Sequence, residues 1–227
     1  MPRKFGKRLK ADREGFDFET PVALTDAVEK IKGFKKTKFD QSIDICLHLG
    51  IDDKQADQKI RGAMSLPHGI GKTRRVIAVV STEKAKEAKE AGAVEAGAED
   101  LVKKIEDGWM EFDVVVAEPP MMRVLAKVAR TLGPKGLMPS PKNGTVTPKI
   151  TEAIKEFAAG KVEFRNDSGG NVHATIGKQS FDSQQLTENA QTFIDAIVKM
   201  KPATTKGQYV QSVTLSGTMT PGVRVEI

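Results

Sequence analysis

Ser42-Ile43-Asp44-Ile45-Cys46-Leu47-His48-Leu49 sets polar residues against apolar ones at every second position. In an extended chain successive side chains point to opposite faces, so Ile43, Ile45, Leu47 and Leu49 go one way and Ser42, Asp44, Cys46 and His48 the other. The stretch predicts a half-buried strand whose polar face is left open to solvent or a partner, as antiparallel sheets allow. Further along, Val76-Ile77-Ala78-Val79-Val80 and Val114-Val115-Val116-Ala117 are unbroken apolar runs, which mark strands covered on both faces. Between the two textures lies Ser65-Leu66-Pro67-His68-Gly69, where proline and glycine interrupt the chain.

Helical periodicity separates the apolar runs. Stretches at 83–91, 99–107, 122–132 and 150–158 alternate with the strands in a βαβα rhythm, which predicts a parallel, three-layer unit. After Ala158-Ala159-Gly160 the alternating texture returns. Val162 and Phe164 alternate with charged residues, and Asn166-Asp167-Ser168-Gly169-Gly170-Asn171 is a turn signal leading into Val172, Ala174 and Ile176, so a hairpin is expected.

An amphipathic helix follows at 184–199, burying Leu186, Ala190, Phe193, Ile194, Ile197 and Val198, with Pro202 beyond it. Strands at 210–215 and 223–227 close the chain, the facing of the first being less regular. Before the opening strand, a helix capped by Thr25 buries Val28 and Ile31. After it, 52–61 reads as a short polar helix.

The same antiparallel texture thus occurs at both ends around a parallel α/β unit. The economical arrangement is an insertion: residues 1–66 plus 160–227 form an outer domain, and 67–159 an inserted one. The fold class is α/β, with a two-layer α+β outer domain. Pro67, Gly69 and Gly160 sit at the two crossings, where a two-strand hinge is expected.

Lys and Arg total 36 against 30 acids, giving +6 and a pI near 9.3, a balance that favours a polyanionic partner. By parts, 1–66 carries 14 basic and 11 acidic residues, 160–227 carries 7 and 6, and the insert 15 and 13. The outer domain is therefore +4 and the insert +2. Much of the former comes from Arg3, Lys4, Lys7, Arg8 and Lys10, a basic start without acids that is expected to lie along a phosphate backbone.

The one cysteine, Cys46, excludes an intramolecular disulfide and a thiolate zinc cluster, in keeping with a reducing, cytoplasmic setting. No run approaches the roughly 18 apolar residues of a membrane span.

Catalytic constellations are sparse. His48, His68 and His173 fall in no metal-ligand spacing, and a Cys46–His48 pair lacks an orienting third group. Gly69-Ile70-Gly71-Lys72-Thr73 resembles the end of a phosphate loop, but Leu66 stands where its first glycine belongs and the segment precedes a strand instead of following one. No enzyme activity, metal or cofactor is expected. The competing class is an enzyme that binds a phosphorylated metabolite on the insert.

The least ordinary stretch is Leu132-Gly133-Pro134-Lys135-Gly136-Leu137-Met138-Pro139, a loop stiffened by proline and glycine. It closely resembles the signature of the ribosomal protein L-one family, bacterial type, whose members belong to the mobile stalk of the large subunit. In the same order, Lys38-Phe39-Asp40, Leu49-Gly50-Ile51-Asp52, Arg61-Gly62, Ser65 to Lys72, Asp107-Gly108-Trp109-Met110, Val162 to Asp167 and Thr218-Met219 also resemble it. The resemblance covers essentially the whole chain.

That resemblance implies an RNA-binding domain made from both termini with a Rossmann-like insert. It implies binding to stalk ribosomal RNA, help in releasing deacylated transfer RNA from the exit site, and repression of the protein's own messenger RNA. A monomer is expected when free, with no membrane partner. The positions matching the family's RNA surface are Lys38, Phe39, Asp44, Ser212, Thr218, Met219 and Thr220, with Arg165, Asp167, His173 and the basic start in a second rank. Thr220 departs from the pattern, which has glycine there. A Cβ at that position disfavours positive φ and limits close approach of RNA.

Overall fold

The computed structural model describes residues 6–14, 20–34 and 37–226. Along the chain come α1 (Lys7–Arg13), α2 (Leu24–Gly33), β1 (Ser42–Leu49), β2 (Arg61–Met64), β3 (Val76–Val79), α3 (Ala85–Glu90), β4 (Glu95–Gly97), α4 (Glu99–Glu106) and β5 (Val114–Ala117). Then follow α5 (Met122–Leu125), α6 (Ala129–Leu132), α7 (Ile150–Ala158), β6 (Val162–Arg165), β7 (Asn171–Lys178), α8 (Ser183–Lys199), β8 (Val210–Gly217) and β9 (Val223–Val225). None of the helices among the described residues is long and apolar enough to cross a membrane.

The chain packs as two compact units. One draws on the described residues of Met1–Arg61, on Leu66–Gly71 and on Phe164–Ile227; the other is Gly62–Ser65 with Lys72–Glu163.

The first unit is built on a four-stranded antiparallel sheet in the order β7-β1-β8-β9. Strand β1 alternates as its sequence predicts: Ile43, Ile45, Leu47 and Leu49 are at most 2% exposed, and the residues between them are half-buried. Helices α2 and α8 pack on the apolar face, bringing Val28, Ile31, Leu186, Ala190, Phe193 and Ile197 onto it. This gives two layers, α on β. Helix α8 is held at its start by a capping box in which the Asp182 side chain and the Gln185 side chain satisfy each other's end of the first turn.

The second unit has a parallel sheet in the order β4-β3-β5. Every residue of β3 and β5 is buried. Phe157, Ile154 and Ala88 cover one face, packing on Val76, Ala78, Val114 and Val116. Leu101, Ile105, Leu125, Val128 and Leu132 cover the other, against Ile77, Val79 and Val115. The three-layer α/β arrangement is therefore present, and the unbroken apolar runs are its central strands.

Several expectations are corrected. Thr25 is not a cap: Ala23 holds that position without a side-chain bond, and Thr25 lies inside the first turn with its hydroxyl 3.5 Å from Asp26. Residues 52–61 form one 3₁₀ turn, Ala56–Gln58, instead of a helix. Their side chains bond the backbone locally and hold it in turns: Asp52 accepts from the Lys54 N–H at 3.0 Å, and Gln58 accepts from the Asp52 N–H at 2.8 Å.

The expected hairpin is a single bridge, Asn166–Val172, because β7 pairs with β1 whereas β6 pairs with β2 in a separate two-stranded sheet. The 122–132 helix is broken by a 3₁₀ turn at Ala126–Val128, whose tighter winding puts Leu125 and Val128, three residues apart, on the same buried side. Val198 is 46% exposed, since Leu186, Ala190, Phe193 and Ile197 already complete the buried stripe of α8. The irregular facing of β8 has its cause in a register shift opposite His48 and Leu49, which leaves Gln211 exposed.

Candidate nucleic-acid interface

The polar side of β1 is one column of a continuous polar surface. Across the sheet, Asp44 lies between Thr175 and Ser216, Cys46 between His173 and Thr214, and His48 between Asn171 and Ser212. Arg224 of β9 extends the Thr214 row. All of these are half-buried or exposed, so the face offers hydroxyls, an amide and imidazoles to whatever approaches. Asp44 is accounted for within the sheet, because its carboxylate accepts the Thr175 hydroxyl at 2.6 Å. At the Leu49 end of β1, His48, Asp52, Gln55, Gln208 and Gln211 border an open groove of about 1070 Å³.

At the Ser42 end two loops converge. The Thr218 N–H donates to the Ser42 carbonyl at 3.0 Å, and the Thr218 hydroxyl accepts from the Ser42 N–H at 3.1 Å. Gln41, 1% exposed, accepts the Met219 N–H through Oε1 at 3.0 Å and donates through Nε2 to Gln179 at 3.1 Å. Asp40 holds the neighbouring loop by taking both the N–H and the hydroxyl of Ser180 at 3.1 and 2.8 Å. Lys178 reaches the Ser42 hydroxyl at 3.0 Å.

On this fixed frame Phe39 is 51% exposed and Met219 50% exposed, while Lys38 and Thr218 are exposed as well. This phenyl ring and thioether stand half in water beside a buried anchor and are surface, not core.

Among the basic residues at the start, Lys7 and Arg8 belong to α1, for which no helix was expected, and Arg3 and Lys4 lie outside the described residues. Arg8 donates to the Met219 carbonyl at 2.9 Å, which places a guanidinium beside the Thr218-Met219 loop.

Thr220 does not take a positive φ, and its hydroxyl accepts the Gly217 N–H at 2.8 Å, closing the loop on itself. The residue that departs from the family pattern is thus a staple within the chain. Thr220→Gly is expected to cost about 1 kcal/mol of stability, from one missing hydrogen bond and a freer unfolded chain, read as a lower urea midpoint.

Asp167 and His173 are placed together at the other side of the face, 3.8 Å apart. Asp167 works chiefly on its own turn, accepting the Asn171 and Gly169 N–H groups at 2.7 and 2.9 Å. Those bonds, the Asn171 backbone first, hold its carboxyl below the usual carboxylate range. The turn itself requires Gly170, whose φ is +75° and where a Cβ would meet the Leu49 carbonyl at 2.8 Å.

Because the folded-state value is the lower one, Asp167 contributes stability above its unfolded-chain pKa, and that contribution is lost as pH falls through the folded-state value. Asp167→Asn should flatten the acid limb of a stability-against-pH curve measured by urea unfolding. Arg165 is exposed on β6 and does not join the four-stranded sheet.

Burial, and then the Asp167 charge, push the Cys46 thiol up, so the pair lacks an available thiolate, and His48 Nδ1 donates to Asn171 Oδ1 at 2.8 Å. Of the expected hinge residues, Pro67 and Gly69 lie in a turn of the first unit and Gly160 follows α7 with φ +102°. Gln41, Thr175, Lys178 and Thr214 were not among the expected site residues. The alternation of Asn171, His173 and Thr175 with Val172, Ala174 and Ile176 is the sequence signal that could have found the β7 column.

The model of the "Ribosomal protein L1p/L10e family" matches residues 31–221. Similar proteins, each named "Large ribosomal subunit protein uL1", include that of Chlorobaculum tepidum, 52% identical over 203 residues that cover 89% of this chain and 88% of the relative. That of Chlorobium phaeobacteroides is 53% identical, covering 89% of each chain, and that of Chlorobium chlorochromatii is 50% identical, covering 90% of this chain and 89% of its own. With such identity along nearly its whole length, the chain belongs to the ribosomal protein L1 family.

Proposed function

We propose that the protein is a structural constituent of the large ribosomal subunit that grips folded stalk RNA through the polar face of its four-stranded sheet. The observation that carries the reading is the Ser42 end of that face, where buried anchors hold Lys38, Phe39, Thr218 and Met219 out into solvent. Hydroxyls aligned across β1, β7 and β8 suit ribose 2′-hydroxyls, which distinguish RNA from DNA, and the flanking cations suit phosphates.

The same surface would bind a mimic of the site in the protein's own messenger RNA, and assistance to transfer RNA leaving the exit site belongs to the same reading. The hinge in this reading is the pair of chain crossings, with Pro67, Gly69 and Gly160 beside them. A cytoplasmic, ribosome-associated location follows.

Cosedimentation with large subunits separates this reading from a ribosome-independent chaperone, which would remain in the supernatant. In filter binding to a stalk-RNA fragment, affinity should fall with salt at a log–log slope of about −0.7 to −0.9 per neutralised phosphate. Thr218→Ala should weaken that complex by about 1–3 kcal/mol, the scale of one recognition contact. Unchanged affinity would show the site to be misassigned.

The enzymatic alternative meets an obstacle in the second unit. In a sheet of this order the ligand crevice opens between the carboxyl ends of β3 and β5. There Glu118 follows β5, takes the Lys84 ammonium at 2.6 Å and lies 3.3 Å from the Ser81 N–H. The Lys84 bond holds the Glu118 carboxyl below its usual range. The chain's own carboxylate already takes the donors that an anionic substrate would use.

A further inference from the structure

The +2 of the inserted segment conceals a strong asymmetry. Between Glu118 and Glu152 there is no Asp or Glu, yet Arg123, Lys127, Arg130, Lys135, Lys142 and Lys149 stand there, six cations and no acid. The rest of 67–159 holds nine cations and thirteen acids, a charge of −4.

The structure sharpens the contrast. Elsewhere in the second unit acids lie among the cations, and four of those cations are paired, Lys84 with Glu118, Lys104 with Glu95, Arg75 with Asp113 and Lys161 with Glu156. Within the acid-free stretch Lys149 pairs with Glu152, but no ion pair among the described residues engages Arg123, Lys127, Arg130, Lys135 or Lys142, and all five are exposed.

Arg123, Lys127 and Arg130 are spaced four and three apart along α5, the 3₁₀ turn and α6, so they share a side, and Leu125, Val128 and Leu132 of the same run are buried in the core. Beyond α6 the Leu137 N–H returns to the Leu132 carbonyl at 3.0 Å, and Gly136 at φ +72° closes the turn that carries Lys135. The cations are thus mounted on an ordered ridge.

The residue types say what such a ridge fits. Phe, Tyr and Trp are absent from 119–151, so no ring is available to stack an unpaired base. Two arginines and a lysine in a row, without aromatic partners or acids, suit a regular line of phosphates. We infer that the ridge Arg123–Lys127–Arg130–Lys135 of the inserted unit is a second, sequence-independent contact surface for the phosphate backbone of duplex RNA. The choice of RNA over other polyanions rests on the ribosomal reading given above.

The test uses the full chain and a labelled duplex RNA of arbitrary sequence, about 24 base pairs, followed by fluorescence anisotropy at 50–200 mM salt. Arg123→Ala/Lys127→Ala/Arg130→Ala should weaken binding at least about tenfold at low salt and reduce the salt slope by roughly 2–3, near 0.9 for each phosphate no longer neutralised. Arg123→Lys/Arg130→Lys should retain most of both. Undiminished duplex binding by the triple alanine variant, with an unchanged urea midpoint, would overturn the proposal. So would displacement of the duplex by poly-glutamate as effectively as by unlabelled RNA, since that outcome assigns the ridge to an acidic protein. A parallel titration of Thr218→Ala with stalk RNA keeps the readings apart. If it is unaffected while the triple variant fails to hold the duplex, the sheet site fails and the ridge stands.

Discussion

Asn189→Leu should lower the unfolding free energy by about 3 kcal/mol, the largest single-residue loss we expect outside the apolar core. Asn189 is fully buried on α8, on a side otherwise filled by Leu186, Ala190 and Phe193. Its Oδ1 accepts the His68 N–H at 3.1 Å, and its Nδ2 donates to the carbonyls of Gly69 and Ile176 at 3.0 and 2.8 Å. One amide therefore fastens the Leu66–Gly71 segment and the edge strand β7 to the same helix.

A leucine of similar volume keeps the packing but leaves one donor and two acceptors without their partner. A buried polar group left unsatisfied costs about 1–3 kcal/mol, and access of water to the loop side tempers the sum. Asn189→Asp should be comparably damaging near neutral pH, because a carboxylate has no hydrogen to give either carbonyl. Urea unfolding checks this: the midpoint should fall with the slope unchanged, and hydrogen exchange at His68 and Gly69 should accelerate most. An unfolding free energy within about 0.5 kcal/mol of the parent would show the clamp to be energetically idle.

The residue also illustrates where sequence reading stops. Strands β1, β3 and β5 were legible because burial on one face writes a period of two, and burial on both writes an unbroken run. Helix α8 was legible from its apolar stripe, yet Asn189 was not, because a polar residue inside that stripe carries no mark of the partners it meets 120 residues away. The same limit explains the false hairpin: turn chemistry at 166–171 is local, whereas the preference of β7 for β1 is decided by residues far apart in sequence. Strand β4, Glu95-Ala96-Gly97, is short and half-buried, and has no apolar run to announce it.

At the candidate site the residue types were readable but not their division of labour. Asp167, expected at the RNA surface, also closes its own turn. Thr220 was expected to obstruct and instead staples. Gln41, which positions Met219, gave no signal at all. Exposure of Phe39 could not be read from sequence, since a lone phenylalanine is more often core.

That exposure makes the pair Phe39→Ala/Met219→Ala the sharpest functional test. Both side chains stand half in water, so their removal should leave the unfolding free energy in urea within about 0.5 kcal/mol of the parent. In the proposed RNA complex they cover a base or ribose face, and truncating one such side chain costs about 1–3 kcal/mol. Together the two should lower affinity for stalk RNA by about 3 kcal/mol, on the order of a hundredfold.

The salt dependence then separates apolar from ionic recognition. Neither side chain is charged, so the double variant should shift the binding isotherm without changing its log–log slope. Arg8→Ala, which removes the guanidinium beside the Met219 carbonyl, should do the reverse, reducing the slope by about 1 with a smaller drop in affinity. Were the slope of the double variant to fall in proportion to its affinity, Phe39 and Met219 would be acting only by positioning the cations around them, and neither would cover a base or ribose.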